Sequence, residues 1–522
     1  MELILENCKI VDGTGAPWYR GDVGIAAGKI AKVGNLQKYP AARRIDVAGK
    51  VVCPGFIDIH SHDDVSILLN RRADAKVRQG ITTQVVGNCG QSAAPLPATG
   101  VEELRRTIYL LDPDPEAPWS WQSMEEYLNL IDSERVSCNV VSLIGHLNLR
   151  VIHVGFDNRP ATASEISAMK ETIAECMKAG AAGLSTGLIY PPSAYANTEE
   201  LVALCETVAE WGGYYATHMR AYDHRLLDSV REAIEIGERT HVPVQISHHV
   251  CVGAKNWALM RESFALIESA RSRGVDVAFD VYPYAASSTN LSQLIPPWVH
   301  EGGVKSLLNR LRSPELRNRL RQEDFYWEPE QIMISSVGSE KGKPLVAKRL
   351  SEIAEQRGTD IVDTLCNLII EESNNISMVA FVQSEENVRL NLKHYLSAVG
   401  TDGLPLRAFG EGSPHPRCYA TTARLIARYV EDEKLLPLEE AVRKLTSHPA
   451  RRAGIRDRGM IHEGMAADLV VFHPDAVREQ ASFTDPHRYP TGFDYVLVNG
   501  QIVVDHGEHT GAQPGQAIRV CH

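Results

Sequence analysis

The central part of the chain alternates short apolar runs with longer segments of helical periodicity. Several of these runs are apolar at nearly every position, which is typical of strands buried on both faces. We predict eight strands, at 56–60, 82–87, 139–145, 182–186, 214–218, 244–248, 275–282 and 398–402. Eight strands alternating with helices indicate an α/β fold with a TIM-like parallel (β/α)8 barrel, and a doubly wound sheet is the weaker alternative.

Two of the intervening helices have clear start and stop signals. A polar residue followed three positions later by glutamate, the spacing of a capping box, opens them at 162–165 and 197–200. Glycines that favour helix termination follow at Gly180 and Gly212. We therefore expect well-bounded helices on either side of the strand at 182–186.

The two ends of the chain have a different pattern. Short alternating segments broken by glycine turns, which are typical of antiparallel strands, occur before residue 55 and again after residue 466. Asn499-Gly500 is a hairpin turn signal in the second group. We predict that residues 1–54 and 455–522 together form a small β-sandwich domain beside a barrel domain at 55–454.

The stretch between the seventh and eighth predicted strands is too long for an ordinary loop. It contains helical patterns at 304–322 and 345–357 and a strand-like run at 332–337. We predict an inserted cap, or lid, at about 285–345, placed over the carboxyl ends of the barrel strands.

Composition narrows the class of protein. With 44% hydrophobic and 23% charged residues the chain fits a soluble globular enzyme, and its formal net charge of −12 gives no reason to bind nucleic acid or an anionic membrane. No apolar run is long enough to cross a bilayer, and the first residues do not resemble a signal peptide. Ten irregularly spaced cysteines indicate reduced thiols, and hence a cytoplasmic protein.

Residues suited to metal binding follow the predicted strands. His60 and His62 alternate along the first strand end, so both side chains point to one side. The ends of the second, fifth, sixth and eighth strands add Cys89, His218, His248 and Asp402. Taken singly, each has an ordinary explanation as a buried, core or turn residue. Together they lie at the barrel face where active sites assemble, and imidazole and thiolate ligands favour zinc.

Neighbouring polar residues are assigned supporting roles. His249 faces away from His248 if the strand continues, so we expect it to have a structural role or to orient a ligand. Asp63 and Asp64 are expected to form local hydrogen bonds.

The sequence around these residues resembles a known family. The run 54–64, Pro-Gly-Phe-Ile-Asp-Ile-His-Ser-His-Asp-Asp, resembles the amidohydrolase superfamily. The run 79–90, which ends Gly-Asn-Cys-Gly, is similar to the N-acyl-D-amino-acid deacylase, or D-aminoacylase, branch. The same likeness extends over nearly the whole chain, in the runs 185–191, 216–220, 245–249, 282–284, 401–403, 415–417 and 464–471.

The resemblance implies a metal site. Cys89, His218 and His248 would hold one tightly bound zinc ion. His60 and His62 would line a second position that is weakly occupied or empty.

The resemblance also implies a reaction, the zinc-dependent hydrolysis of N-acyl-D-amino acids to a carboxylate and a free amine. Asp402 would act as catalytic base and acid, and Arg417 would hold the substrate carboxylate. A tyrosine of the pair Tyr282 and Tyr284 would assist it, and Tyr190 would line the pocket.

One position departs from the family pattern. Members commonly have a lysine after the His-His pair, where it assists the substrate carboxylate, and this chain has Val250. Three alternatives therefore stay open: a hydrolase of cyclic amides or imides (or a deaminase of heterocycles), a deacylase of a larger biosynthetic molecule, and, more remotely, a non-catalytic scaffold. The expected partner is a small N-acyl compound, and the oligomeric state does not follow from the sequence.

Overall fold

The computed structural model describes residues 1–108, 111, 117, 119–404 and 410–521, so only residue 522 of the predicted terminal domain lies outside it. The strands are β1 (Leu3–Ile10), β2 (Tyr19–Ala26), β3 (Lys29–Gly34), β4 (Arg43–Asp46), β5 (Val51–Pro54), β6 (Phe56–Asp58), β7 (Ile81–Val86), β8 (Asn139–Ser142), β9 (Ile144–Gly145), β10 (Gly183–Gly187), β11 (Tyr214–His218), β12 (Val244–Ile246), β13 (Val277–Val281), β14 (Ser287–Asn290), β15 (Ile332–Val337), β16 (Ile376–Ala380), β17 (Ser397–Val399), β18 (Leu469–Phe472), β19 (Phe493–Val498), β20 (Gln501–Asp505) and β21 (Glu508–His509).

Helices connect most of these strands. They are α1 (Ser66–Leu69), α2 (Asp74–Val77), α3 (Val101–Thr107), α4 (Met124–Glu134), α5 (His146–His153), α6 (Ala163–Ala179), α7 (Thr198–Glu210), α8 (Leu226–Thr240), α9 (Leu259–Ser272), α10 (Gly303–Arg310), α11 (Pro314–Leu320), α12 (Leu350–Arg357), α13 (Ile361–Glu371), α14 (Glu385–Lys393), α15 (Arg417–Arg424), α16 (Leu438–Leu445) and α17 (Ser447–Arg452). A π-helical segment, Leu425–Asp432, continues α15.

The barrel consists of parallel strands in chain order. One run of paired strands is β6-β7-β8 and the other is β9-β10-β11-β12-β13-β17, with β8 and β9 as successive segments of one strand. A parallel bridge between Ser61 and Gly403 joins the eighth strand to the first. The predicted α/β fold with a TIM-like barrel is thereby confirmed.

The helix signals read from the sequence are confirmed. The Thr162 side chain accepts from the backbone N–H of Glu165 at 3.3 Å and completes a capping box for α6, which ends at Gly180 with φ of 109°. The Asn197 side chain accepts from the N–H of Glu200 at 2.9 Å at the start of α7. Both caps satisfy backbone donors that the first helical turn leaves free.

Strands from both ends of the chain join in one nine-stranded sheet. Its order is β21-β20-β19-β18-β5-β1-β2-β3, and β4 pairs with β1. Apolar residues from both ends, such as Leu5, Ile25 and Leu497, are fully buried in a shared core. The union of the two termini is therefore observed, and the sandwich arrangement stays a prediction.

The segment between β13 and β17 contains a three-stranded antiparallel sheet of order β14-β16-β15. Its helical patterns correspond to α10 and α11 and to α12, and its strand-like run is β15. The sheet extends beyond the predicted range of 285–345, because its central strand, β16, lies at Ile376–Ala380 and pairs with both neighbours.

The cysteines and the helices can be compared with the expectations of reduced thiols and of no membrane-spanning segment. All ten cysteines are free thiols, and nine of them are buried. Within the described ranges, no helix combines the length and the apolar character that spanning a bilayer would require.

Candidate metal centre and active site

The predicted ligands come together at the carboxyl end of the barrel. His60 and His62 follow β6, Cys89 follows β7, His218 ends β11 and His248 follows β12. The ligand atoms of His60, His62 and Cys89 lie within 4.8 Å of one another, and so do those of Cys89, His218 and His248. Cys89 therefore belongs to both groups, and all five side chains are buried.

The backbone at this end is held in an uncommon conformation. Cys89, His248 and Asp402 have φ values of 52°, 33° and 46°, in the left-handed region that non-glycine residues rarely adopt. Such residues persist where the surroundings fix them, often at functional sites. Here a close approach helps, because a Cβ on Gly187 would lie 2.1 Å from the Cys89 carbonyl oxygen. Only glycine allows β10 to approach the Cys89 loop in this way.

The spacing around the sulfur fits a tetrahedral metal site. The Cys89 Sγ atom lies 3.3 Å from His60 Nε2 and 3.5 Å from His248 Nε2. Usual Zn–S and Zn–N bond lengths place two tetrahedral ligands about 3.5 Å apart. The cluster therefore has the dimensions of a zinc coordination shell.

Charge in the cluster also favours a cation. Burial raises the pKa of the Cys89 thiol, but His60 and His248 act against it and hold it well below its usual value. Cys89 is therefore a thiolate, the form that binds metals. Burial lowers the pKa of His62, but the hydrogen bonds that it donates to Asp402 and Cys89 raise it to about 9. A metal ion would replace this proton as the counter-charge.

Histidine nitrogens without hydrogen-bond partners also suit a metal site. Within the described ranges, neither Nδ1 nor Nε2 of His218 has a hydrogen-bond partner, and Nδ1 of His62 has none. Burying a polar atom without a partner is costly. Metal binding would give one of the two His218 nitrogens a partner and would account for an imidazole that faces the thiolate.

Asp402 links this cluster to a buried cation. Its Oδ1 lies 3.2 Å from His62 Nε2 and 3.5 Å from His60 Nε2, and its Oδ2 lies 2.8 Å from Arg417 Nη1. Burial raises the pKa of Asp402, but Arg417 and His60 oppose this, and the result lies well below the usual value. The surrounding positive charges thus favour the ionised form of Asp402.

The predicted substrate residues divide into two groups. Arg417 lies against the ring of Tyr282, 4.5 Å from the ring centroid, and donates from Nη2 to the Ser288 carbonyl at 3.3 Å. The Tyr190 ring lies 5.0 Å from that of His218. Tyr284 is placed elsewhere, because its hydroxyl donates to Glu479 at 2.9 Å. The structure thus brings Arg417, Tyr282 and Tyr190 to the site but not the hydroxyl of Tyr284.

A family model described as "Amidohydrolase family" matches residues 43–319 and 387–504, more than half of the chain. The chain belongs to the amidohydrolase family. Two proteins of Alcaligenes xylosoxydans xylosoxydans are each 35% identical to it: an N-acyl-D-glutamate deacylase, with 99% of this chain and 96% of the relative covered, and a D-aminoacylase, with 99% and 97% covered. The predicted membership in the D-aminoacylase branch is confirmed.

A solved structure agrees with this assignment. N-acyl-D-glutamate deacylase from Bordetella bronchiseptica is 34% identical, superposes with a TM-score of 0.86 and covers 99% of both chains. It was solved with zinc and a phosphonate inhibitor that mimics the tetrahedral intermediate of its reaction. The likeness therefore extends to the overall fold of this amidohydrolase.

Sequence reasoning missed Asp280, a supporting residue of this amidohydrolase site. Asp280 Oδ1 lies 3.1 Å from His60 Nδ1 and accepts from the His248 backbone N–H at 2.7 Å. It therefore orients two predicted ligands, as carboxylates commonly do for metal-bound histidines. The signal was an acidic residue within the otherwise apolar strand Val277–Val281.

A second missed group holds the Asp402 loop. Lys76 Nζ donates to Asp58 Oδ2 at 2.8 Å, to Ser61 Oγ at 3.0 Å and to Thr401 Oγ1 at 3.0 Å. Asp58 also accepts from the backbone N–H of Thr401 at 2.8 Å. This buried ion pair fixes the residue next to Asp402 to the first strand.

The supporting roles expected from the sequence are partly correct. His249 does face away, bonding to Asn391 Oδ1 at 2.9 Å and Ser263 Oγ at 2.6 Å. Asp63 accepts locally from Ser66 Oγ at 3.0 Å. Asp64 has a local backbone hydrogen bond as well, but it also accepts from the distant Ala93 N–H at 3.3 Å and is fully buried, so its bonding is not local alone.

Proposed function

We propose that this amidohydrolase hydrolyses the linear amide bond of N-acyl-D-amino acids and releases a carboxylate and a free amine. The observation that carries the proposal is the position of Asp402, which contacts the histidine–cysteine cluster on one side and Arg417 on the other. A base between a metal site and a cation that can bind a carboxylate suits this substrate. The full-length likeness to deacylases of D-amino acids supports the substrate class.

The cluster divides naturally between two metal positions. Cys89, His218 and His248 would hold the tightly bound zinc ion, and His60 and His62 would line a weaker second position that shares Cys89. Bound zinc supplies a Lewis acid for the scissile carbonyl and lowers the pKa of a water to roughly 7.

The remaining chemistry belongs to Asp402. Its ionised carboxylate accepts a proton from the attacking water and returns it to the departing nitrogen, because an amide nitrogen leaves poorly without a proton. His62, 3.2 Å from Asp402 Oδ1, holds the carboxylate in place. The pairing of Arg417 with Asp402 keeps the base ionised between turnovers.

Substrate recognition is assigned to the opposite wall. Arg417 would bind the substrate carboxylate, and its stacking on Tyr282 and its bond to Ser288 keep the guanidinium oriented. The Tyr190 hydroxyl lies 3.3 Å from Thr289 Oγ1, so β14 of the inserted sheet borders the pocket. We therefore assign the inserted segment a lid role that excludes water. We assign Tyr284 to packing of this wall.

The finer predictions about organisation are part of the same proposal. We propose that the terminal sheet is a small domain of its own, beside a barrel domain at 55–454. Free, buried cysteines support a reducing compartment, and we propose the cytoplasm.

Val250 favours one further candidate. It is 7% exposed and places no charge beside the ligand His248. Without the lysine of the family pattern, the site would need no free carboxylate on its substrate. It would then accept a larger acylated substrate, and cyclic amides stay an alternative.

The decisive experiment combines metal analysis with an assay on paired N-acetyl-D- and N-acetyl-L-amino acids. We expect zinc in the purified protein and release of amino acid from the D series alone, with activity lost on chelation and restored by zinc. Zinc without activity on either series would refute the substrate assignment and direct the assay to cyclic amides and larger amides. Absence of metal after purification in zinc would refute the site.

A further inference from the structure

A second cavity lies at the opposite end of the barrel from the metal cluster. It has a volume of about 160 Å³ and is lined by residues at the amino-terminal starts of the strands, including Tyr214 at the start of β11 and Asp276 just before β13. His218, a predicted metal ligand, is at the far end of the same β11 strand. The cavity is therefore separate from the active site.

The charged residues of this cavity are mostly cationic. Arg271, Arg451 and Arg452 line it together with a single acidic residue, Asp276. This leaves a formal surplus of two positive charges, in a chain whose formal net charge is −12. A concentration of arginines in an acidic protein indicates an anion-binding surface.

Existing ion pairs do not neutralise this surplus. Asp276 accepts from Arg452 at 3.0 and 3.4 Å and also pairs with Arg271, so two guanidinium groups share one carboxylate. Arg451 is exposed and has no ion pair within the described ranges. Burial lowers the pKa of Arg452, as does the positive charge of Arg271. Arg452 would gain from another anion.

An uncharged donor also lacks a partner. The Tyr214 hydroxyl is buried and has no hydrogen-bond partner among the described residues. Burial and the charge of Asp280 raise the pKa of this hydroxyl, and the nearby charge of Arg452 lowers it. A buried hydroxyl without a partner is unusual in a folded protein. An anion in the cavity would supply an acceptor beside the arginines.

We propose that this cavity binds a small phosphate group, either inorganic phosphate or a phosphomonoester. Guanidinium groups bind phosphate oxygens through paired, charge-assisted hydrogen bonds. A phosphomonoester carries about two negative charges at neutral pH, which matches the surplus on the cavity wall. A carboxylate carries one charge and would leave the surplus half neutralised.

The test titrates the zinc-loaded protein with inorganic phosphate and with glycerol phosphate at constant ionic strength and follows Tm. We compare wild type with R451Q, which removes the unpaired charge, and Y214F, which removes the buried hydroxyl. R456Q is the matched control, because Arg456 is an exposed arginine outside the cavity. Substituting exposed Arg451 should leave the fold and the amidohydrolase activity intact.

We expect a saturable rise in Tm for wild type and R456Q, and phosphate binding about tenfold weaker in R451Q, the usual effect of losing one charge-assisted contact. Y214F should bind phosphate more weakly as well. A response to glycerol phosphate would extend the site to esters, and a response to inorganic phosphate alone would assign the free ion. An unchanged response in R451Q, as binding at the zinc site would give, or an equal response to acetate would overturn the proposal.

Discussion

The two ends of the barrel are formed by the same strands but collect opposite charges. At the carboxyl end, Cys89 and Asp402 are buried anions surrounded by histidine nitrogens. At the amino end, Arg271 and Arg452 share the carboxylate of Asp276, and Arg451 adds a third positive charge. Packed apolar side chains of the barrel interior, such as Val85 and Val141, lie between the two ends. The candidate cation site and the proposed anion site would thus lie on one scaffold, separated by the apolar barrel interior.

The pKa values of two histidines show the difference in charge between the two ends of the barrel. Burial lowers the pKa of His62, yet Asp402 and Cys89 raise it to about 9. Burial also lowers the pKa of His448 in the amino-terminal cavity, and Arg443, Lys444 and Arg452 lower it further, to about 4. The pKa of the same side chain thus shifts in opposite directions at the two ends, because the neighbouring charges differ in sign.

The largest expected effect comes from removing the base at the carboxyl end. Asp402→Asn should retain zinc, since Asp402 belongs to neither ligand group, and lower kcat by about 10²–10⁴. Elemental analysis and steady-state kinetics of the same preparation check both parts. Loss of zinc together with activity would make Asp402 a metal ligand, and near-normal turnover would remove it from the mechanism.

The next effect concerns the ion pair beneath Asp402. Lys76→Met leaves the carboxylate of Asp58 buried without its counter-charge and should lower the free energy of unfolding by about 3–5 kcal/mol. Denaturant titration measures this loss. Combining it with Asp58→Asn removes the unpaired charge, so the double variant should recover part of the stability. A double variant as unstable as the sum of the single ones would show that the two residues do not interact.

The candidate ligands at the carboxyl end could be predicted from the sequence, because each follows an apolar run that defines a strand. Cys89 and Asp402 needed only the rule that functional residues follow barrel strands. The arginine-lined cavity at the amino end could not be predicted in the same way, since Arg271 and Asp276 lie far along the chain from Arg451 and Arg452 and the starts of barrel strands carry no comparable rule. The extent of the inserted sheet was missed for a related reason. Strand β16 pairs with β14 from Ser287–Ala380 to Asn290–Ser377, far apart in the chain, and hydrophobic periodicity carries no information about such pairing.

A smaller effect tests the positive charge around His448 at the amino end of the barrel. Because the pKa of His448 is about 4 in the fold and about 6.5 in the unfolded chain, the unfolded state binds the extra proton between these values. Stability should therefore fall as pH drops from about 6.5 to 4, and His448→Gln should remove up to one proton from that dependence. Glutamine can keep the donated bond to the Leu396 carbonyl.

The free energy of unfolding is measured at a series of pH values. His241→Asn, which replaces an exposed histidine, is the control. Phosphate should reduce the loss of stability between about pH 6.5 and 4 in wild type, since a bound anion favours the protonated ring of His448 and raises its pKa in the folded state. If the free energy of unfolding had the same pH dependence in wild type and in His448→Gln, the lowered pKa assigned to His448 would be wrong.

The smallest effect comes from making the carboxyl end resemble the amino end. Val250→Lys adds a cation near His248, at the position where the family resemblance implies a lysine. It should lower KM for N-acetyl-D-amino acids about tenfold, as one added charge-assisted contact would. Val250→Met, which adds length without charge, separates this from a change of pocket shape. Substrate amides without a free carboxylate should show no gain. If both variants weaken binding equally, Val250 fills space against the substrate, and the preferred substrate is one that does not need a second cation.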